Sequence, residues 1–411
     1  MKITITTSEA VPFAKTGGLA DVVTALGKHL TKLGNEVTIM MPLYPGSSLV
    51  PTALITPLRL SFSGRNVTYS LIESMHSGVK FLFVDAPSYF HRRGIYGDAA
   101  GDYPDNDERF VFFTRACLEY CLRKGDPPDV FHCNDWPTAL FPLFLRTHYS
   151  NDALGKTPVV FTIHNIAYQG IFPAQRFNLL ELGNEYFTAD TLEFYGSMNF
   201  LKAGLLYSDI LTTVSKQYSQ EIQSKEQGYR LDGVVRARSN RLFPVLNGID
   251  DEIWNPETDS YLSQNYSLSK LQGKSVCRKE LLRKAGFDME TDSPLIGMIS
   301  RLAAQKGFDL LEAAAKEILK ANMLLFILGT GESKYETFFQ RLHQRNPGQV
   351  AVALRFDEAL AHKIEAGADM FLMPSQYEPC GMNQLYSLAY GTVPIVRAVG
   401  GLDDTVQEWD P

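Results

Sequence analysis

The stretch LIGMISRLAAQKGFDLLEAAAKEIL, residues 295–319, contains the unit from which the fold is predicted. Its first five residues are a continuous apolar run, typical of a strand covered on both faces of a parallel sheet. Residues 308–319 repeat apolar positions at helical spacing. A strand, a short loop and a helix in this order are the repeating unit of parallel α/β sheets, so the stretch predicts an α/β fold.

The same alternation extends along most of the chain. The twelve strand candidates are residues 3–6, 37–40, 81–84, 130–132, 159–163, 210–214, 244–246, 295–299, 324–328, 351–354, 370–373 and 393–396. Twelve strands are more than one open, twisted sheet usually holds. Residues 241–251 are rich in turn-forming residues, so we expect a domain boundary there. We therefore expect two doubly wound Rossmann-like domains, residues 1–246 and 247–411, that face each other across a cleft. Ligands in such sheets bind beyond the carboxyl ends of the strands.

Composition indicates a folded protein with real cores, since 45% of the 411 residues are hydrophobic and 21% are charged. The net charge of -7 disfavours non-specific electrostatic binding to nucleic acid or to anionic lipid. No apolar run is long enough to cross a membrane, and the first residues alternate like a strand rather than a signal peptide. The five cysteines fit no zinc spacing, which favours buried thiols in a reducing cytoplasm.

The motif KTGGLADV, residues 15–22, follows the first strand and opens a helix. Its glycines allow close backbone approach to a ligand, the helix start offers free N–H groups to an anion, and Lys15 adds a charge. An ordinary glycine turn, with Asp21 favouring the helix dipole, explains the pattern equally well. The spacing does not match the dinucleotide fingerprint, and no acidic residue ends the second strand, which disfavours a nicotinamide dehydrogenase.

Two loops in the second half follow predicted strands. SRLAAQKG, residues 300–307, brings two cations that suit a diphosphate, although a solvated basic loop is the alternative. YEPCGMNQL, residues 377–385, places Glu378 beside a predicted helix start, where a carboxylate can accept from sugar hydroxyls or stabilise positive charge. Glu378 as a simple helix-start charge is the alternative.

Two segments of the first half also follow predicted strands. His164-Asn165 ends one strand, although a lone histidine is more often a satisfied structural residue. Asp135 and Trp136 end another, where the indole can lie against a sugar face and the carboxylate can accept from hydroxyls. A plain core position is the alternative for Trp136.

Two patterns look functional but have simpler explanations. Asp105-Asn106-Asp107 resembles a metal-binding Asp-x-Asp motif, but it precedes an apolar helix, so we interpret it as an N-cap. Gly329-Thr330-Gly331 could approach a phosphate but is a weak pattern. No His, Asp or Glu group has convincing ligand spacing, so no metal site and no cofactor are predicted.

Taken together and in this order, the motifs resemble the bacterial glycogen synthase and plant starch synthase family over essentially the whole chain. They are KTGGLAD at 15–21, HN at 164–165, NGID at 247–250, SRLAAQKG at 300–307, and EPCG at 378–381 through YGT at 390–392. The resemblance implies the GT-B architecture. It also implies transfer of glucose from ADP-glucose to the non-reducing end of an α-1,4-glucan, with the α configuration retained.

The resemblance assigns roles to individual positions. Its catalytic residues correspond to Glu378, His164 and Asp21. Its donor contacts correspond to Lys15, Gly18, Arg301, Lys306, Phe356, Cys380 and Gly381, with Phe356 stacked on the nucleotide base. Its acceptor contacts correspond to Tyr96, Asp135, Trp136 and Asn165.

The chain departs from the wider superfamily at Tyr386, where a second glutamate often follows the first by eight positions. Starch and glycogen synthases share this trait. The chain ends at Asp410-Pro411, about where the family has its last elements still to come, which suggests a truncated chain. A UDP-glucose-dependent transferase of the same fold, a non-catalytic glucan-binding homologue and a phosphorylase are the alternatives. This chain is short for a phosphorylase, and a pure binder needs no diphosphate site.

Overall fold

The computed structural model describes residues 1–98 and 100–410 and divides into two compact units. The first unit comprises Met1–Val214 and Ser219–Val245, and the second comprises Ser215–Tyr218 and the chain from Leu246 onward. Leu246 lies in the turn-rich stretch from which a boundary was predicted. Each unit has its own sheet, which is mostly parallel in the first unit and parallel in the second, as expected for a doubly wound α/β chain.

The first unit contains the strands β1 to β14. They are Lys2–Thr6, Glu36–Pro42, Pro51–Phe62, Arg65–His76, Val79–Asp85, Gly97–Asp98, Gly101–Asp102, Val130–Asn134, Val159–Ile163, Ile171–Pro173, Glu193–Phe194, Ser197–Asn199, Ile210–Thr213 and Leu242–Pro244. Nine of them form one sheet in the order β14-β13-β9-β8-β1-β2-β5-β4-β3. All neighbours pair in parallel except β3 with β4 and β4 with β5. Strands β1, β8 and β9 are adjacent and parallel, so the loops that follow their carboxyl ends lie at the same edge of the sheet.

Among the described residues of this part of the chain, seven α-helices alternate with these strands. From α1 to α7 they are Gly18–Lys32, Pro87–Phe90, Asn106–Lys124, Leu140–Arg146, Phe200–Tyr207, Lys216–Glu221 and Asp232–Ala237. Helix α3 shows why the core forms here, because its residues Phe110, Phe112 and Phe113 are fully buried. Burial of such aromatic side chains is the largest favourable contribution to a core of this kind.

The second unit continues with β15 to β19 and α8 to α13. The strands are Leu295–Ile299, Leu324–Leu328, Val350–Ala353, Met370–Met373 and Val393–Val396, and the helices are Gln272–Ala285, Phe308–Lys320, Ser333–Arg345, Glu358–Gly367, Asn383–Ala389 and Gly400–Thr405. The strands form a parallel sheet in the order β17-β16-β15-β18-β19. Buried residues pack on both faces of this sheet, which explains the continuous apolar runs of β15 and β16.

The α/β class and the parallel sheets predicted from the sequence are confirmed, and most predicted strands agree within one or two residues at each end. One prediction was displaced, since the strand placed at 244–246 is β14 at Leu242–Pro244. Val245 and Leu246, which the prediction included, lie beyond the end of β14 and are 59% and 45% exposed. They continue the apolar pattern of the sequence without belonging to the strand.

The sequence pattern missed the long antiparallel hairpin of β3 and β4. Strand β3 lies at the edge of the sheet and most of its residues are exposed, so it lacks the continuous apolar run of the interior strands. All five cysteines are buried and none forms a disulfide. Among the helices of the described residues, none combines the length and apolar character needed to cross a bilayer.

Candidate active site

The loop after β1 carries KTGG and is held by a carboxylate that the sequence analysis did not select. Glu9 is 3% exposed. Its Oε1 accepts from the Thr16 hydroxyl at 2.7 Å, and its Oε2 accepts from the backbone N–H of Thr16 and, at 3.3 Å, of Gly17. A buried carboxylate with several donors is a rigid anchor, because each unmade bond would cost its full desolvation. Glu9 thereby fixes the start of α1.

Lys15 and Asp21 meet at this helix start. Lys15 Nζ lies 2.8 Å from Asp21 Oδ1, and both side chains are partly exposed. Gly18 is the first residue of α1, directly beside them. The structure therefore brings together three of the predicted residues, Lys15, Gly18 and Asp21, at the edge where β1 ends.

Asp135 follows β8 in an unfavourable backbone conformation. Its φ of 54° lies where few non-glycine residues are found, and such outliers concentrate at functional sites. Its Oδ1 accepts from the backbone N–H of His164 at 2.7 Å and of Asn165 at 3.3 Å. Burial raises the pKa of Asp135 to about 7, although the two N–H bonds oppose this rise. The carboxylate thus ties the β8 loop to the β9 loop.

His164 is a neutral group at physiological pH. Burial, and secondly the neighbouring His132, lowers the pKa of His164 to about 3. Its Nε2 lies 2.9 Å from Asn134 Oδ1 and donates to it, since an amide oxygen can only accept. The Nδ1 atom then carries the lone pair. His164 is therefore oriented by a specific partner, Asn134, which the sequence analysis did not select as a site residue.

Tyr96 and Trp136 lie beside this group. The Tyr96 hydroxyl donates to Glu9 Oε1 at 2.6 Å and lies 2.7 Å from Ser8 Oγ. The rings of Tyr96 and Trp136 are 6.1 Å apart, and Trp136 also packs edge-on against Phe110 at 4.9 Å. Trp136 is half-buried, so it belongs neither wholly to the core nor wholly to the surface.

In the second unit, Lys306 and Glu378 form an ion pair. Lys306 Nζ lies 2.6 Å from Glu378 Oε2, and the Ser375 hydroxyl donates to the same oxygen at 2.9 Å. Glu378 is 7% exposed, so the pair is largely withdrawn from water. The two residues come from the loops after β15 and β18, which are neighbouring parallel strands. Sheet topology thus joins two motifs that are 72 positions apart in the sequence.

Glycines allow these loops to approach so closely. Gly307 has a φ of +70°, and a Cβ there would lie 1.9 Å from the Pro374 carbonyl oxygen. Gln376 also donates its N–H to the Gln305 carbonyl at 2.8 Å. Gly329, of the weak glycine pattern, approaches Ser300 in the same way, with a Cβ position 1.9 Å from its carbonyl oxygen. Glycine here serves contact between loops.

The remaining predicted residues of this unit occupy three different environments. Arg301 is exposed on the loop after β15. Phe356 follows β17 and is 74% exposed, between Arg355 and Asp357, which pair at 2.8 Å. Cys380 is 3% exposed, and burial raises the pKa of its thiol to about 12. A buried, protonated thiol is unreactive, so Cys380 contributes packing rather than nucleophilic chemistry.

Gly381 and Tyr386 flank the start of α12. Gly381 has a φ of +76°, which favours glycine, and it precedes the helix at Asn383–Ala389. Tyr386 is 4% exposed, and its ring stacks on Trp254 with centroids 3.8 Å apart. The position where other families place a second glutamate is therefore a packed core position in this chain.

The interpretation of Asp105-Asn106-Asp107 as a capping motif was wrong in its mechanism. Asp105 occupies the N-cap position of α3, but its side chain makes no capping bond. Its two oxygens accept instead from Arg92 at 2.6 Å, and Asp107 accepts from Arg176 at 2.6 Å. Across residues 1–98 and 100–410, no cluster of three or more His, Cys, Asp or Glu side chains is arranged to hold a metal ion.

Glu9, Asn134 and Ser375 are the site residues that sequence reasoning missed. Their signal in the sequence was weak, since each is a common polar residue next to a motif rather than within it. Ser375 lies three positions before Glu378, and Glu9 lies in the loop after β1. Only the fold shows that their polar atoms point at the motif residues.

Family comparisons cover both units. Residues 2–237 match the family described as starch synthase catalytic domain, and residues 282–411 match glycosyl transferases group 1. The chain is 48% identical to a glycogen synthase of Koribacter versatilis, with 100% of this chain and 85% of the relative covered. It is 46% identical to a glycogen synthase of Myxococcus xanthus, covering 99% of this chain and 86% of the relative.

Solved structures agree with these relatives. The catalytic domain of starch synthase IV from Arabidopsis thaliana, bound to ADP and acarbose, superposes with a TM-score of 0.93 at 33% identity, covering 100% of this chain and 85% of that one. A sucrose-phosphate synthase from Thermosynechococcus elongatus, at 17% identity and a TM-score of 0.59, shares the fold. With relatives above 40% identity along its whole length, this chain belongs to the glycogen synthase and starch synthase family of glycosyltransferases.

Proposed function

We propose that this chain transfers glucose from ADP-glucose to the non-reducing end of an α-1,4-glucan and retains the α configuration. The observation that carries the proposal is the Lys306–Glu378 pair, 2.6 Å apart and held by loops after two neighbouring strands. A cation and a buried carboxylate at this edge of a doubly wound sheet suit a sugar diphosphate. The ADP bound to the related starch synthase is what ADP-glucose leaves behind after transfer.

The diphosphate would be held by protein cations. Lys306 is oriented by Glu378, and Arg301 is exposed on the same loop. Arginine offers a planar fork to phosphate oxygens, and lysine offers a compact charge. Phe356, exposed and with its neighbours fixed by an ion pair, is suited to stack on the base. Gly381 and Cys380 are assigned to the remaining donor contacts.

The residues of the first unit would hold the two sugars. Neutral His164 is assigned to the transferred glucose, Asp21 to the catalytic residues, and Lys15 and Gly18 to the donor. A partly buried neutral imidazole can hydrogen-bond to a sugar hydroxyl without repelling positive charge that develops on the ring. Tyr96, Asp135, Trp136 and Asn165 are assigned to the acceptor, with the indole against a sugar face.

The transfer step needs no covalent enzyme intermediate. The bond from the anomeric carbon to the phosphate oxygen breaks while the acceptor hydroxyl oxygen bonds to the same face of that carbon. The hydroxyl proton goes to the departing phosphate oxygen, and ADP leaves. Positioning and electrostatic stabilisation supply the catalysis, with Lys306 and Arg301 at the diphosphate and Glu378 near the cationic sugar.

The proposed donor is tested against UDP-glucose. With a malto-oligosaccharide acceptor, kcat/KM should be higher for ADP-glucose than for UDP-glucose. The reverse order would assign the chain to the UDP-glucose alternative. Glucan binding without nucleotide release from either donor would identify a non-catalytic homologue. The exposed Glu312→Gln variant serves as a surface control for the variants described below.

The proposed reaction is placed in the cytoplasm. Five buried cysteines without a disulfide suit a reducing compartment. Detection of the tagged chain with cytoplasmic markers after cell fractionation checks this placement.

A further inference from the structure

We infer that Glu9 is a positioning residue that couples the donor-side loop to the acceptor-side tyrosine. The inference rests on the proposed function, which assigns the loop of Lys15 and Gly18 to the donor and Tyr96 to the acceptor. Glu9 touches neither substrate in this account. It acts through neighbouring groups, because Tyr96 itself and the two residues between Lys15 and Gly18, Thr16 and Gly17, hydrogen-bond to its one carboxylate.

The geometry joins two distant parts of the sequence. Thr16 donates its hydroxyl to Glu9 Oε1 at 2.7 Å, and Tyr96 donates its hydroxyl to the same oxygen at 2.6 Å. The backbone N–H groups of Thr16 and Gly17 donate to Oε2. A shift of the carboxylate by even one ångström would lengthen bonds on both sides at once.

The burial of Glu9 makes this arrangement stiff. The side chain is 3% exposed, and no lysine or arginine nitrogen of the described residues lies within ion-pair distance of it. Its carboxyl group is therefore held by hydrogen bonds from neutral donors. Burial, and secondly the charge of Glu9, holds the pKa of Tyr96 well above its usual range, so the phenol keeps the proton that it donates.

Glu9→Gln tests the inference, because glutamine keeps the shape but offers only one accepting oxygen. Its amide N–H₂ would face either the two hydroxyls or the two backbone N–H groups. We expect a lower kcat together with a higher KM for ADP-glucose and a higher KM for the glucan. Glu36→Gln, an exposed change at the opposite end of the same sheet, is the matched control and should leave all three values unchanged.

Two further variants, each of which removes one hydrogen-bond donor to Glu9, test the inference if Glu9→Gln does not fold. Thr16→Val removes one donor on the loop side and should raise mainly the KM for ADP-glucose. Tyr96→Phe removes the hydroxyl that donates from the acceptor side and should raise mainly the KM for the glucan. Because both hydroxyls share Oε1, the loss in kcat/KM of the double variant should differ from the product of the two single losses.

Three outcomes overturn the inference. They are unchanged kcat and KM values in folded Glu9→Gln, an increase confined to one substrate, and exactly multiplicative losses in the Thr16→Val and Tyr96→Phe pair. Failure of the proposed function has a different signature, since the wild-type chain itself would then release no ADP. Calorimetric binding of ADP and of maltohexaose to Glu9→Gln and wild type would still compare the two arms in that case.

Discussion

Glu378 is the single residue on which the proposed chemistry depends most. Its carboxylate is buried and already bound to Lys306 and Ser375, so it is pre-oriented before substrate arrives. Glu378→Gln should lower kcat on the order of a hundredfold or more, with a smaller effect on donor affinity, because the charge matters most when the sugar becomes cationic. Steady-state kinetics with ADP-glucose measure this. Near-normal turnover, matching the Glu312→Gln control, would remove Glu378 from the mechanism.

A second prediction concerns stability at the residue scale. Glu365 is fully buried, and burial raises its pKa to about 8, although the Ser387 hydroxyl bonds to it at 2.7 Å. The native state thus keeps a proton that the unfolded chain releases near pH 4.5, so this group makes stability fall between pH 4.5 and 8. Glu365→Gln removes that loss.

The gain in unfolding free energy from Glu365→Gln should therefore grow from pH 4.5 to pH 8 and then level off. It should reach a few kcal/mol, since one pKa unit corresponds to about 1.4 kcal/mol. Denaturant titrations at a series of pH values measure the difference between variant and wild type. Glu358→Gln, at the exposed start of the same helix, is the control and should show no such rise. A difference that does not depend on pH would contradict the assignment.

At the same scale, the sequence predicted motif residues better than their supports. Lys306 and Glu378 were selected because charged residues after buried strands are visible as a pattern. The conformation of Asp135, with a φ of 54°, leaves no mark in the residue types around it. Glu9 and Asn134 also hydrogen-bond to Tyr96 and His164, which are distant in the sequence and are brought close by the fold, so no local pattern encodes these two contacts.

At the scale of elements, the contact between the loops after β15 and β18 depends on Gly307. Alanine there would combine a left-handed backbone conformation with a Cβ 1.9 Å from the Pro374 carbonyl oxygen. Gly307→Ala should destabilise the chain by several kcal/mol and raise the KM for ADP-glucose, because Lys306 is adjacent.

Gly286→Ala is the matched control, with a φ of +75° and open space around it. It should cost only about 1 kcal/mol and leave the kinetics unchanged. Thermal unfolding of the two variants, with donor kinetics at a permissive temperature, compares them. Equal costs in both would show that the two loops are not locked together by this contact.

Elements were predictable where burial on both faces leaves a continuous apolar run. This applies to β9, β15 and β16, whose predicted limits agree with the structure. The limits of β18 and β19 also agree, although Val393 and Ile395 of the edge strand β19 are 61% and 40% exposed. Prediction from apolar runs fails for β3, because its residues are largely exposed at the sheet edge. In the described residues, strand β3 pairs only with β4, so its sequence lacks a continuous apolar run. The prediction also fails at β14, because exposed apolar residues continue past the end of the strand.

At the scale of the whole molecule, the account predicts transfer without a divalent metal. The charge on the departing diphosphate must be neutralised, and we propose Arg301, Lys306 and Lys15 as the protein cations that do so. The carboxylates of Asp105 and Asp107 are each engaged by an arginine. The rate of ADP release should therefore be nearly unchanged in EDTA. A large loss that magnesium or manganese restores would overturn both the prediction and the assignment of the cations.

The most direct measurement follows ADP release and glucan growth in the same reaction. The chain is incubated with ADP-glucose and maltohexaose, ADP is quantified, and the product is analysed by NMR. The account predicts one new α-1,4-linked glucose at the non-reducing end for each ADP, and loss of both signals in Glu378→Gln. ADP without glucan growth, a β-linked product, or no ADP at all would contradict the central claim that this chain is a retaining α-1,4-glucan synthase.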